Sequence, residues 1–307
     1  MGKTIRNGVW STMITPFNEK NEIDYPALGE LVDWYIAHGV EGLFAVCLSS
    51  EMFNLSRQER SELTQFIVGK ASGRVPVIAS GHVSDSIEEQ VEDILAIAAA
   101  GADAVVLVTN RLAREDESDH VWRANLERLL EKLPADLSLG FYECPYPYKR
   151  ELSPALLEWC AATERFLFLK DTSCSLPLIK AKLKAVEGSV LKIFNANATT
   201  LLDSLKAGAA GFSGIMANFH PELYVWLCRN WHTQPEEALR LMNFIGMASA
   251  HEGQPYPINA KYFISLDGVG IGLHSRSRKL EDLNETGKQM VEQLYAVSKE
   301  YAEQYKL

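Results

Sequence analysis

Positive charge is in short supply: 30 Lys and Arg face 40 Asp and Glu, for a formal net charge of −10. That balance argues against nucleic acid or an anionic membrane surface as a partner. Cysteine is sparse as well. The five residues Cys47, Cys144, Cys160, Cys174 and Cys228 are scattered, odd in number and free of any CxxC pair, so they read as small buried hydrophobes in a reducing compartment. No segment approaches the roughly 20 uninterrupted apolar residues of a membrane span. The start, Met1-Gly2-Lys3-Thr4-Ile5-Arg6-Asn7, lacks the apolar stretch of a secretory signal and the Ser or Thr of a myristoylation pattern. The expectation is a cytoplasmic protein. GxGxxG and P-loop patterns are missing, and no His or carboxylate cluster has metal-ligand spacing. Neither a nucleotide cofactor nor a metal is therefore expected.

What the chain does hold is apolar material, 47% of 307 residues, in a regular alternation. Short β-rich runs over 9–15, 42–48, 75–80, 104–109, 137–142, 166–170, 191–194 and 211–216 are separated by amphipathic helical patterns. Those helices are expected near 26–38, 57–70, 86–100, 121–133, 154–162, 176–186 and 199–207. Eight such units with short loops predict an α/β fold, the closed (β/α)8 TIM barrel. Further helices near 221–229, 235–250 and 280–306 form a C-terminal helical extension. No Pro, Gly or Ser linker divides the chain, so a barrel over 1–220 and helices over 221–307 are expected to form a single structural unit.

Within the sixth run, Lys170 closes the apolar stretch Phe166-Leu167-Phe168-Leu169 and precedes Asp171-Thr172-Ser173. A lysine carried into a core is costly while charged, so it tends to lose its proton, pair or react. At a barrel mouth a desolvated amine is a nucleophile toward a ketone, and the product is a Schiff base. If Lys170 points inward, alternation places Phe168 inward and Leu167 and Leu169 outward. An inward Tyr142 on the preceding strand implies inward Gly140 and Ser138, and an inward Ser213 on the last strand goes with Gly211. Catalytic groups of such barrels come from the C-terminal ends of strands. Those ends hold Ser49, Ser50, His82, Arg111, Tyr142, Glu143, Lys170, Thr172, Asn195, Asn197 and Ser213, a set suited to a polyhydroxylated oxo-acid.

Seven segments carry a specific likeness: TMITPF at 12–17, VCLSSE at 46–51, PVIASG at 76–81, FYECP at 141–145, LKDT at 169–172, GAAGFSGIMAN at 208–218 and PINAK at 257–261. On these the chain resembles the dihydrodipicolinate synthase/N-acetylneuraminate lyase family of class I aldolases over essentially its whole length. In that family the lysine forms an imine with the C2 ketone of pyruvate or a similar oxo-acid. The strand-5 tyrosine passes protons at the carbinolamine and carbon–carbon bond steps. The resemblance implies those roles for Lys170 and Tyr142, with no cofactor beyond the covalent Schiff base, and a homo-oligomer, tetramer or dimer.

Departures from the family pattern point to a divergent member, neither of the two name-giving enzymes. Leu48 stands where a hydroxyl joins the proton relay, and Asn110-Arg111-Leu112 where the synthases carry a second tyrosine. Tyr146-Pro147 replaces an arginine that binds a dicarboxylic substrate, with Arg150 displaced from that place. The expected substrate is a small 2-oxo acid: a 2-keto-3-deoxy sugar acid, or pyruvate with an aldehyde. Ser49 and Ser50 would hold its carboxylate, and Thr172, Asn195 and Ser213 its hydroxyls. Glu143 would bind it and act as acid or base in a dehydration. Two alternatives stand beside this: a catalytically impaired oxo-acid-binding or regulatory protein, and an aldolase for an aromatic oxo-acid, favoured by Leu48 and Leu112.

Overall fold

The computed structural model describes residues 5–307; Met1-Gly2-Lys3-Thr4, which carry part of the reading against a leader segment, lie outside the described residues. Eight strands follow the chain in order: β1 (Gly8–Thr12), β2 (Gly42–Phe44), β3 (Val77–Ala79), β4 (Ala104–Val108), β5 (Leu139–Tyr142), β6 (Phe166–Asp171), β7 (Lys192–Asn195) and β8 (Gly211–Phe212). All pair in parallel, and β8 returns to β1 through Gly8↔Gly211 and Val9↔Phe212. At that seam a Cβ on Gly211 would stand 1.8 Å from the Gly8 carbonyl oxygen, so only glycine closes the barrel there. The strands are buried along nearly their whole length, as expected of a parallel sheet covered on both faces.

Aromatic side chains fill the barrel interior. Phe168 stacks on Phe194 at 4.7 Å between centroids and meets Trp10 at 5.7 Å and Phe44 at 6.0 Å. A one-residue irregularity sets which β6 side chains go inward: Leu139 pairs with Phe166, but Gly140 pairs with Phe168. Leu167 is the extra residue of this bulge. Phe166 therefore stacks on Phe141 at 4.2 Å, which in turn meets Trp122 of the surrounding helices at 5.7 Å. Beyond the bulge, Tyr142 and Lys170 come side by side in register.

The helices are α1 (Tyr25–Ala37), α2 (Arg57–Ala71), α3 (Ile87–Ala99), α4 (Asp119–Glu131), α5 (Pro154–Ala162), α6 (Leu176–Ala185), α7 (Leu201–Lys206), α8 (Pro221–Asn230), α9 (Pro235–Ala248), α10 (Ile258–Leu266) and α11 (Glu285–Tyr305). Their starts follow from local chemistry. Ser56 and Glu59 form a reciprocal capping box on α2, and Ser86, Ser118, Ser153 and Ser175 cap α3 to α6. Two expectations change. The helix foreseen from 280 begins only at Glu285, capped by Asn284 after a 3-10 turn over Leu280–Asp282. Helix α10 was not foreseen, because buried Asn259 and Lys261 interrupt its apolar pattern. Helix α8 packs against β1 and β8 as the eighth barrel helix, so the helices outside the barrel start at α9. One continuous cluster of buried apolar side chains runs from Ile5 to Ala302. Among the described residues, no helix is long and apolar enough to cross a membrane.

Candidate active site

Several runs leave the ladder earlier than the sequence predicts, and the residues freed become loops at the C-terminal mouth. After β2 the chain turns through Glu51 (φ 62°) into a 3-10 turn over Met52–Asn54; after β8 it enters another over Ile215–Asn218. These loops, the turn over Ser249–Gly253 and the stretch before α11 enclose a cavity of about 1010 Å³. Lys170 and Tyr142 form its floor. Leu48, Ser49, Phe53, Tyr146, Thr172, Asn197, Ile215, Glu252, Tyr256, Arg276 and Arg278 contribute to its walls.

Lys170 is buried, with only 3% of its surface exposed. Its Nζ lies 4.6 Å from the centre of the Tyr142 ring, and among the described residues no carboxylate forms an ion pair with it. Desolvation therefore holds its pKa below the ordinary lysine value. Burial pushes the Tyr142 phenol well above its usual range, so it keeps its proton. An amine that gives up its proton more readily than usual and a protonated phenol thus share one buried floor, where the amine can add to a carbonyl and the phenol can donate or return a proton.

Of the residues expected to bind substrate, the structure brings two to the cavity. Ser49 is buried on the wall, its hydroxyl 3.3 Å from Thr12 Oγ1. Thr172 lines the opposite side and donates to the Glu143 carbonyl at 2.6 Å.

The others are engaged elsewhere. Ser50 Oγ lies 2.7 Å from the carbonyls of both Met13 and Ala45 and accepts from Cys47 N–H, so it ties β1 to β2. Asn195 donates to Thr200 and Ser204, both at 3.0 Å, and its Oδ1 accepts from Asn197 N–H; it organises the start of α7 while Asn197 takes the place on the wall. Ser213 donates to the Trp10 carbonyl at 2.9 Å across the seam.

Glu143 is fully buried outside the cavity. One oxygen lies 2.6 Å from Lys182 Nζ and accepts from Leu152 N–H, and the other accepts from Thr172 N–H. Its place follows from strand alternation: an inward Tyr142 sends the next residue outward. His82 is likewise internal, between the Val108 N–H and Gln90, and burial lowers its pKa to about 4. Arg111 pairs with Asp85 and Arg150 with Asp119. Arg276 reaches the wall but is held by both oxygens of Glu59.

Two wall residues were missed. Tyr256 precedes the PINAK segment, and its hydroxyl accepts from Asn218 Nδ2 at 2.9 Å. Burial pushes its pKa well above the usual range. Glu252 sits on the turn after α9. The segments 208–218 and 257–261, which hold Asn218 and flank Tyr256, were the available signal. Among the described residues, no group of three or more His, Cys, Asp or Glu is placed to hold a metal ion.

A buried lysine on a barrel floor is what the class I aldolases and lyases require, since these enzymes work through a lysine amine. The chain belongs to the Dihydrodipicolinate synthetase family, whose profile matches residues 6–296. It is 30% identical over 223 residues to the 4-hydroxy-tetrahydrodipicolinate synthase of Psychrobacter sp. (strain PRwf-1), covering 72% of this chain and 71% of that one. It is 26% identical to the enzyme of the same name from Gluconacetobacter diazotrophicus, over 88% and 90% of the two chains. Among solved structures, YagE, a prophage protein of the family from E. coli K12 crystallised with pyruvate, superimposes with a TM-score of 0.85 at 22% identity. That match spans 95% of this chain and 98% of YagE. The Thermotoga maritima dihydrodipicolinate synthase gives 0.86 at 19% identity over 96% and 99%. These last two likenesses establish the barrel and its C-terminal helices.

Proposed function

We propose that the protein is a Schiff-base-forming lyase, an aldolase or dehydratase, acting on a small 2-oxo acid. The substrate is a 2-keto-3-deoxy sugar acid, or pyruvate with an aldehyde. The observation that carries this reading is Lys170: buried, without an ion-pair partner among the described residues, and 4.6 Å above an aromatic ring at the floor of the cavity. Its free amine adds to the C2 ketone, and the carbinolamine loses water to leave a carbon–nitrogen double bond on Nζ. Tyr142 passes protons at the carbinolamine and carbon–carbon bond steps, and Ser49 receives the carboxylate. Thr172 and Asn197 face the hydroxylated tail. No separate cofactor is required in this scheme. A homo-oligomer in the cytoplasm completes the proposal.

A second reading, an aldolase for an aromatic oxo-acid, is favoured by one wall of the mouth. Phe53 and Tyr146 meet edge to face there at 5.0 Å, next to Leu48.

Borohydride reduction with pyruvate, a 2-keto-3-deoxy sugar acid or an aromatic oxo-acid, followed by peptide mass spectrometry, tests all of this. The expected product is an adduct on Lys170, and the ligand that traps best names the branch. Absence of any adduct removes the Schiff-base mechanism and leaves a binding protein.

A further inference from the structure

Two carboxylates line the cavity, Glu51 and Glu252. Glu51 accepts at one oxygen from Ser275 and from the Arg276 and Ser277 N–H groups, and its other oxygen faces Lys261 at 3.7 Å. Glu252 lines the cavity with Lys170, and its Oε1 is shut off from solvent and has no hydrogen-bond partner among the described residues. Glu51 Oε1 also lacks a hydrogen bond but has Lys261 opposite, whereas Glu252 has no cation within ion-pair distance among the described residues. A buried carboxylate oxygen left unpaired is expensive, and such groups persist where a ligand or a transferred proton completes them.

Glu252 and Lys170 line the same cavity and make no ion-pair contact with each other. Titratable groups close to Glu252 include Tyr224 from α8, which is buried, and Tyr256 from the loop before α10, which is partly buried; desolvation raises both phenols well above their usual range. Leu48, also on the cavity wall, supplies no hydroxyl.

We infer that Glu252 is a catalytic acid–base residue of this site, exchanging protons with the substrate bound to Lys170; the inference rests on the Schiff-base reading above. Tyr142 gives its proton to the C2 hydroxyl of the carbinolamine. The carbon–oxygen bond breaks, water leaves with the bonding pair, and the nitrogen lone pair forms the C=N bond. The cationic iminium then faces the Glu252 carboxylate. That carboxylate takes a proton from C3; the C–H pair becomes the C2=C3 bond of the enamine and the C=N pair returns to nitrogen, so both partners end neutral. Burial raises Glu252 to about 7, against the pull of Lys170, so both forms are populated at neutral pH.

The test follows loss of the pyruvate methyl signal by proton NMR in D₂O, with the full-length protein and parallel borohydride trapping. Glu252→Gln should slow exchange by about 100-fold or more while the pyruvate adduct still forms on Lys170. The wild-type exchange rate should show a limb near pH 7 that Glu252→Gln lacks. Exchange at the wild-type rate with the limb intact in Glu252→Gln overturns the assignment. So does a wild-type protein that forms the adduct without exchanging methyl protons. Failure of the wild type to form any adduct overturns the Schiff-base reading and this inference with it. Should Glu252→Gln not fold, Glu252→Asp decides: a displaced limb supports the role and an unmoved one overturns it.

Discussion

Lys170 and Lys182 are both buried lysines beside the same strand, and their surroundings could hardly differ more. Lys170 leaves β6 toward the cavity and meets the Tyr142 ring. Asp171, the next residue, leaves on the other side and meets Lys182 of α6 at 2.5 Å, with Glu143 at 2.6 Å. Burial alone would pull both amines down. At Lys182 the two carboxylates outweigh it and the pKa rises; at Lys170 nothing comparable opposes it and the pKa falls. Burial therefore says little about whether a lysine is chemical or structural; what decides is whether the fold brings it a counter-charge.

The comparison breaks most visibly at the level of activity. Lys170→Ala should abolish adduct formation and turnover while circular dichroism and thermal unfolding report an intact barrel. Lys182→Met should do the reverse. It leaves Glu143 and Asp171 buried without their cation, a loss of about 3–5 kcal/mol, read from urea unfolding. Lys182→Met combined with Glu143→Gln and Asp171→Asn should recover much of that loss. A Lys170→Ala protein that still turns over ends the assignment of the nucleophile. Next in size, Tyr142→Phe keeps the ring over Lys170 and removes only the hydroxyl. Turnover should fall by about 10²–10⁴-fold, with trapping on Lys170 still measurable; an unchanged rate moves the proton carrier elsewhere.

The two lysines should also bend the pH dependence of stability in opposite senses. An unfolded lysine holds its proton to near its ordinary value of 10.5. Folded Lys170 releases its proton earlier, so between the two values the unfolded chain binds more protons and stability rises with pH. Lys182 holds its proton longer, so its contribution is complete below 10.5 and is lost as pH rises through the higher folded value. Lys170→Met should accordingly stabilise the protein at pH 7 by about 1 kcal/mol, and the gain should shrink toward pH 10.5. A destabilised Lys170→Met would mean that the ammonium has a partner.

Much of this was legible in the chain. Eight apolar runs spaced by helical patterns specify the barrel, and a lysine ending one of them stands out because few lysines follow four apolar residues. Glu143 was misplaced by proximity: it follows Tyr142 in the chain, yet strand periodicity alone sends it to the other face. Asn195 shares that error, since it pairs in register with the outward Asp171. Glu252 and Tyr256 carry no periodic signal at all. They reach the cavity because the segment around α9 and α10 returns to the mouth, a tertiary fact whose one local hint is the 257–261 segment next to Tyr256.

The finest test of the same contrast lies in two adjacent serines. Ser49 and Ser50 look equivalent in sequence, and both hydroxyls were assigned to the substrate carboxylate. In the folded chain Ser50 Oγ is saturated by two carbonyls and an N–H group, whereas Ser49 makes a long contact to Thr12 at 3.3 Å, lies beside the Tyr256 hydroxyl and faces the cavity. Ser50→Ala should cost about 1–3 kcal/mol of stability by leaving buried backbone groups short of a partner. It should leave KM for the oxo-acid near the wild-type value. Ser49→Ala should barely move the unfolding midpoint but raise KM by roughly 3–10-fold, the worth of one hydrogen bond. Paired urea titrations and steady-state kinetics separate the two. If both variants shift KM equally, the carboxylate site spans both hydroxyls and the Ser50 contacts must open when substrate binds.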